Sequence, residues 1–208
     1  RRGLMALFVS VEGIDGSGKS TQARLLAETL RATGREVVLT REPGGSEGAE
    51  EIRRLLLTGD PGRWSPVTEL LLFTAARRDH LERTILPALG RGAVVVTDRF
   101  ADSTRLYQGE RGASRDLVER LHAAVIGREP DLTILVDMDP AKALARGLAR
   151  RSGEDRFEEM GLALQARLRE GFLALAREHP GRIAVVDGDR PEAAVAGDVA
   201  ALALARLP

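Results

Sequence analysis

The residues Gly13-Ile14-Asp15-Gly16-Ser17-Gly18-Lys19-Ser20 fit the pattern G-x-x-x-x-G-K-[ST]. This spacing suits the holding of a phosphate chain. Glycines let the backbone come close to an anion and turn its N–H groups inward. A helix starting just behind the loop adds free donors and the positive end of its dipole. Lys19 is expected to reach the β- and γ-phosphates, and the Ser20 hydroxyl to hold Mg²⁺, with Thr21 extending the phosphate-binding stretch. Asp15 is the anomaly, because a carboxylate facing those phosphates would repel them. It either turns toward a second ligand or forms a turn with its own backbone.

Arginines follow two other apolar runs. Arg41 comes after VVLT and Arg99 after VVVTD. If those runs are parallel strands, their C-terminal ends line the ligand crevice, and both arginines point toward the phosphate loop. A second phosphate-bearing substrate is the expectation. Asp98, at the end of VVVTD, is the favoured carboxylate for the Mg²⁺ shell. Asp137, at the end of LTILVD, competes with it.

The positioning elements follow from short β-prone runs at 6–11, 36–40, 93–97, 132–137 and 182–187, with helical patterns between them. Runs apolar on both faces suit a buried parallel sheet, and the alternation with helices predicts βαβ units. The expected fold is therefore α/β, a five-stranded parallel sheet flanked by helices in three layers, over one domain spanning 1–208. Helices are expected after the phosphate loop, at 47–59, as one long helix over 65–89 bending or ending near Pro87, at 114–127, at 162–178 and at 191–206. The stretch at 147–160 is charged and poor in apolar residues, which is the character of a lid.

Composition narrows the function. Lys+Arg and Asp+Glu each number 31, so no global basic field exists for a nucleic acid polymer. Aromatic residues at 3% are too few for a base-stacking platform. No cysteine is present, which excludes disulfides, thiol nucleophiles and cysteine–zinc sites. The three histidines are widely spaced, and His80 and His122 are expected to be structural. The apolar start is broken by Glu12, too early for a signal peptide or membrane span. A cytoplasmic enzyme or switch is expected. No N-K-x-D guanine-reading motif is present.

Taken in order, VEGIDGSGKSTQ, TREPGG, LLLFTAARRDH, TDRFADSTRLYQG and GEDRFE resemble the thymidylate kinase family over roughly 7–207. The resemblance implies the reaction ATP + dTMP ⇌ ADP + dTDP with Mg²⁺, on a homodimeric P-loop α/β fold. It implies that Arg41 and Arg99 engage the acceptor phosphate. Phe73 would stack on thymine and Arg77 read the pyrimidine edge. Ser103 and Gln108 would lie near the base, Tyr107 near sugar and base, and Pro43 beside the REP turn. Asp15 would accept a hydrogen bond from the 3′-OH of dTMP. The chain departs from the common family pattern at Phe100, Arg105 and Leu106.

Some members of the family carry a catalytic arginine in the phosphate loop and others in the lid. Here Gly16 occupies the loop position, while Arg146, Arg150, Arg151 and Arg156 crowd the lid region. The resemblance is to the bacterial lid-arginine type, with Arg150 or Arg151 preferred, then Arg156. The adenine pocket is expected partly from 186–191. The acceptor is already an anionic phosphate, so no general base is required. The remaining alternatives are a kinase for another nucleoside monophosphate and a regulatory NTPase.

Overall fold

The computed structural model describes residues 6–60, 62–150 and 161–207, with the backbone alone for 148–150. The expected strands are β1 (Leu7–Glu12), β2 (Val37–Arg41), β3 (Val94–Asp98), β4 (Leu132–Asp137) and β5 (Ile183–Asp187). They form one parallel sheet in the order β2-β3-β1-β4-β5. Every residue of β1 is buried, as are nearly all of β3 and β4. The two edge strands are only partly buried, so the apolar runs mark the centre of the sheet most strongly.

Helices cover both faces. Because side chains alternate along a strand, Leu7, Val9 and Val11 face one side. They pack against Ala23, Leu26 and Leu30 of α1 (Lys19–Ala32) and Val195 and Val199 of α9 (Glu192–Leu204). Phe8, Ser10 and Glu12 face the other side. There Phe8 meets Leu81, Ile85 and Phe100, its ring edge-on to that of Phe100. This second layer contains α2 (Glu47–Leu57), α3 (Pro66–His80), α4 (Leu86–Gly90), α5 (Ala101–Glu110), α6 (Arg115–Leu121), α7 (Pro140–Arg150) and α8 (Gly161–Glu178). The three-layer α/β/α arrangement is the one expected.

The long helix predicted over 65–89 is interrupted before Pro87. Residues Leu81–Ile85 form a π turn, and the Leu86 N–H donates to Leu81 O. Pro87 has no N–H to give to the preceding turn, and a widened turn accommodates that loss. The start of α3 is fixed by Ser65, whose side chain accepts from the Thr68 N–H, with Pro66 in the first turn. Two helices were not predicted from sequence, α5 and α7. Both matter to the site. The outer side of α5 is tied down by charge. Arg105 Nη1 donates to Asp102 (2.9 Å) and Arg105 Nε to Glu119 (3.0 Å), while Arg182 Nη1 donates to Asp102 at 2.6 Å.

Candidate active site

The phosphate loop joins β1 to α1 and is held from below. The Ser17 N–H donates to Ile14 O at 3.2 Å. Gly16 and Gly18 adopt left-handed backbone with φ of 81° and 96°, which side chains rarely take without strain. A Cβ on Gly16 would lie 1.9 Å from Ala143 O of α7, so no side chain fits there while α7 stays in place. A loop arginine at this position is thereby excluded.

The loop is a wall between two clefts. On one side is a cleft open to solvent at its mouth and lined by Asp15 together with Arg99, Ser103 and Tyr107. Pro43, Phe73, Arg77 and Gln108 line it as well. On the other side Ser17, Gly18 and Thr21 line a cleft shared with Arg146 of α7 and with Gly188 and Arg190, after β5. The expected 186–191 segment is therefore beside the phosphate loop. Lys19 is buried between the two, its Nζ donating to Ile14 O at 3.4 Å and to Asp15 Oδ1 at 3.3 Å.

Asp15 faces the first cleft, not the side of Ser17 and Gly18. Arg99 Nη2 donates to its Oδ1, and Tyr107 Oη donates to its Oδ2 at 2.9 Å. Burial alone would raise the Asp15 carboxyl, but Arg99 and Lys19 outweigh it and hold the pKa far below the usual range. Burial works against the Arg99 charge too, yet Tyr107, Asp15, Glu12 and Asp98 keep it firmly protonated. Burial pushes the Tyr107 phenol up. For Lys19, burial and the nearby Arg99 lower the ammonium pKa, while Asp15 and Asp98 oppose the shift.

Arg99 has a φ of 69°, left-handed although it is not glycine. Such a conformation costs about 1–3 kcal/mol and persists only where the surroundings fix it. Three bonds do so. The Arg99 N–H donates to Val11 O (3.0 Å), Thr97 Oγ1 donates to Arg99 O (2.9 Å), and the next N–H, of Phe100, donates to Glu12 Oε1 (2.7 Å). The guanidinium then lies over the Tyr107 ring, 4.8 Å from its centroid, and Nη1 donates to Ser103 Oγ at 2.8 Å.

Phe73 and Arg77 share one face of α3, four residues apart, as the spacing predicts. Arg77 is almost fully buried. Its Nε donates to Glu42 at 2.6 Å, and its Nη2 donates to Phe100 O (3.2 Å) and Thr104 Oγ1 (2.8 Å). Glu42 in turn lies 3.0 Å from His80 Nδ1, which makes His80 structural as expected. Burial would raise the Glu42 carboxyl, but Arg77 and His80 hold it low. Gln108 is fixed from behind, its Nε2 donating to Glu69 at 3.2 Å.

Arg41 stands apart from the other expected acceptor residues. It ends an edge strand, is half exposed, pairs with Glu50 at 3.3 Å and does not line the cleft. Arg53 of α2 lines it instead, its Nη1 donating to Pro43 O at 2.6 Å. Sequence reasoning missed Arg53, Glu12 and Glu42. Only Glu12 left a signal there, a carboxylate closing an otherwise apolar strand.

The two candidate metal carboxylates differ in what they already hold. Asp137 is taken by a two-pronged pair with Arg169, at 2.7 and 2.8 Å. Asp98 Oδ1 is buried and has no hydrogen-bond partner among the described residues. A carboxyl oxygen without a partner in that position suits a hydrated cation, as does the exposed hydroxyl-bearing Ser20 at the loop end. Arg151 and Arg156 lie outside the described residues, as does the side chain of Arg150.

The model of one protein family, thymidylate kinase, matches residues 11–199. The thymidylate kinase of Dinoroseobacter shibae is 71% identical over 195 residues, covering 93% of this chain and 94% of that protein. That of Caulobacter vibrioides is 52% identical over 202 residues, covering 96% and 97%. Among solved structures, the thymidylate kinase of Ehrlichia chaffeensis superposes with a TM-score of 0.76 at 35% identity, covering 95% of this chain and 98% of that one.

Proposed function

The chain belongs to the thymidylate kinase family, and from that premise we propose how its two clefts divide the work of phosphorylating dTMP with ATP to give dTDP and ADP. The cleft of Asp15, Arg99 and Phe73 takes dTMP. The cleft of Ser17, Gly18 and Thr21 takes the phosphates of ATP. The supporting observation is that one loop forms the wall of both. Donor and acceptor phosphates would meet across it, where Lys19 lies.

In the acceptor cleft Arg99 binds the dTMP phosphate. Tyr107 and Ser103 hold its guanidinium in place, and Asp15 is turned to accept from a sugar hydroxyl. Phe73 supplies a face for the base, and Arg77, clamped by Glu42, supplies fixed donors at its edge. Arg53 joins this set, and Arg41 belongs to the outer rim. No proton need be abstracted, because the attacking oxygen is a phosphate oxygen. Catalysis here is alignment and charge neutralisation. Lys19 neutralises charge on the transferring group, and Gly13 through Thr21 position the donor.

Mg²⁺, bound with ATP, would draw charge from the phosphate oxygens. Ser20 and Asp98 are the residues that would hold its shell, Asp98 through water. Among the described residues no three carboxylate or imidazole groups converge as a metal cage. That suits an ion held mainly by phosphate and water. Residues 147–160 are proposed as the lid, with Arg150 or Arg151, then Arg156, as its catalytic arginine. The homodimer finds support in exposed Leu55, Val67 and Leu71 on α2 and α3. A cytoplasmic location fits the substrates, and no described helix is long and apolar enough to cross a membrane.

The deciding assay offers ATP·Mg²⁺ with dTMP, dUMP, dCMP, dGMP or no acceptor. The expected outcome is turnover fastest with dTMP and negligible without acceptor. One thymine methyl supplies only about 1–3 kcal/mol, so dUMP should be a modest second. Equal turnover on all acceptors, or hydrolysis without one, would remove this reading.

A further inference from the structure

Behind the acceptor cleft lies a carboxylate that the reaction itself does not use. Glu12 ends β1 and points to the α5 side of the sheet by strand alternation, with no exposure to solvent. Its Oε1 accepts from the Phe100 N–H at 2.7 Å, and its Oε2 accepts from Ser103 Oγ at 2.6 Å. The second bond fixes the direction of a chain. Ser103 gives its only proton to Glu12, and its lone pairs accept from Arg99 Nη1 at 2.8 Å. The first bond closes the turn that holds Arg99 left-handed. One side chain thus sets both the backbone of Arg99 and the orientation of its guanidinium.

We infer that Glu12 is the positioning residue of the acceptor-phosphate site, acting on Arg99 through Phe100 and Ser103 and touching neither substrate. The inference rests on the reading of Arg99 as the acceptor-phosphate arginine. The group is sensitive to pH. Burial, then the nearby Asp102, push its carboxyl up to about 7, against the pull of Arg99 and of its two hydrogen bonds. The charges around it are Arg99 and Asp102. Behind Asp102 stand Arg105 and Arg182, and beyond Arg99 stand Asp15, Asp98 and Lys19. Protonation at Oε2 would make Glu12 a donor to Ser103, turn the Ser103 proton away from it and remove the negative charge that faces Arg99, while Arg99 stays the donor to Ser103.

Glu12→Gln imitates that protonated state permanently. Its carbonyl can still accept from Phe100, but its NH₂ faces Ser103 as a donor. The expected result is a dTMP KM raised on the order of tenfold, the loss of one aligned charge-assisted bond, with the ATP KM unchanged. A second readout uses inhibition by thymidine 5′-sulfate, whose charge is fixed across the range. Wild-type affinity should fall as pH drops from about 8 to about 6, toward the variant's flat line. Parallel profiles for the two proteins, or an unchanged dTMP KM, would overturn the inference. If the variant does not fold, a flat wild-type profile overturns it alone. Arg99→Ala is measured beside them. If it leaves dTMP binding intact, the acceptor-site reading itself falls. If it weakens binding while Glu12→Gln does not, only the role of Glu12 falls.

Discussion

Gly16 and Gly18 allow the packing of the phosphate loop against α7 to be measured. Both are left-handed, at φ of 81° and 96°, so alanine at either costs about 1–2 kcal/mol from the backbone alone. At Gly18 the new Cβ meets nothing within 4 Å. At Gly16 it meets Ala143 O at 1.9 Å and Ala143 C at 2.7 Å, both backbone atoms of α7. Ordinary contact needs about 3.5 Å, so α7 or the loop must retreat by roughly 1.6 Å. Overpacking of this kind adds about 1–3 kcal/mol. Urea unfolding should therefore place Gly18→Ala about 1–2 kcal/mol below the parent and Gly16→Ala about 2–5 kcal/mol below it. Turnover on dTMP should fall on the order of a hundredfold in Gly16→Ala, because a shift of this size moves Asp15 and Lys19 out of register. Equal destabilisation by the two substitutions would show that the loop is not braced on α7.

Stability should also depend on Glu12 in a defined direction. Its folded pKa of about 7 stands above the ordinary 4.5. Its contribution is thus fully present below about pH 4.5 and is lost as pH rises through about 7. The difference of about 2.5 units corresponds to roughly 3 kcal/mol. Unfolding free energies of the parent and Glu12→Gln, compared at about pH 5 and pH 8, should diverge by about that amount in favour of the variant at high pH; a constant gap would contradict the burial argument. Asp98→Asn should raise the Mg²⁺ concentration for half-maximal rate about 10- to 100-fold while leaving the dTMP KM nearly unchanged. An unaltered Mg²⁺ titration would return the metal role to other residues.

The strands and the phosphate loop were legible because each depends on a local pattern. An apolar run of five or six residues has few other ways to be buried, and the loop glycines sit where left-handed backbone is needed. Strand order was not legible, and Arg41 shows what that conceals. Arg41 and Arg99 both follow a strand in sequence, but Arg99 follows a strand paired on both sides, whereas Arg41 closes an edge strand and faces Glu50. Helix α5 was obscured by its polar residues, including Asp102, Ser103, Thr104 and Gln108. Those residues are buried by partners distant in sequence, such as Glu12, Glu69 and Arg182. Arg53 differs from Arg54 only in helical phase, which becomes meaningful once Pro43 is seen beside it. The long helix 65–89 was expected to bend or end near Pro87, and the irregularity lies in the turn before it, at Leu81–Ile85, with the helix resuming at Leu86.

Arg99 has a counter-ion built into its own chain, Asp15, on the wall of the cleft it serves. A lone guanidinium in a cleft is an ion exchanger, taking up chloride or a metabolite carboxylate in proportion to its concentration. One already neutralised offers such anions little. It yields to an anion that gains several donors at once, such as a phosphate or sulfate monoester. Turnover should therefore be nearly indifferent to ionic strength, and the cleft should ignore the crowd of small anions around it. Selectivity against that background comes from the neighbour of the arginine as much as from the arginine itself.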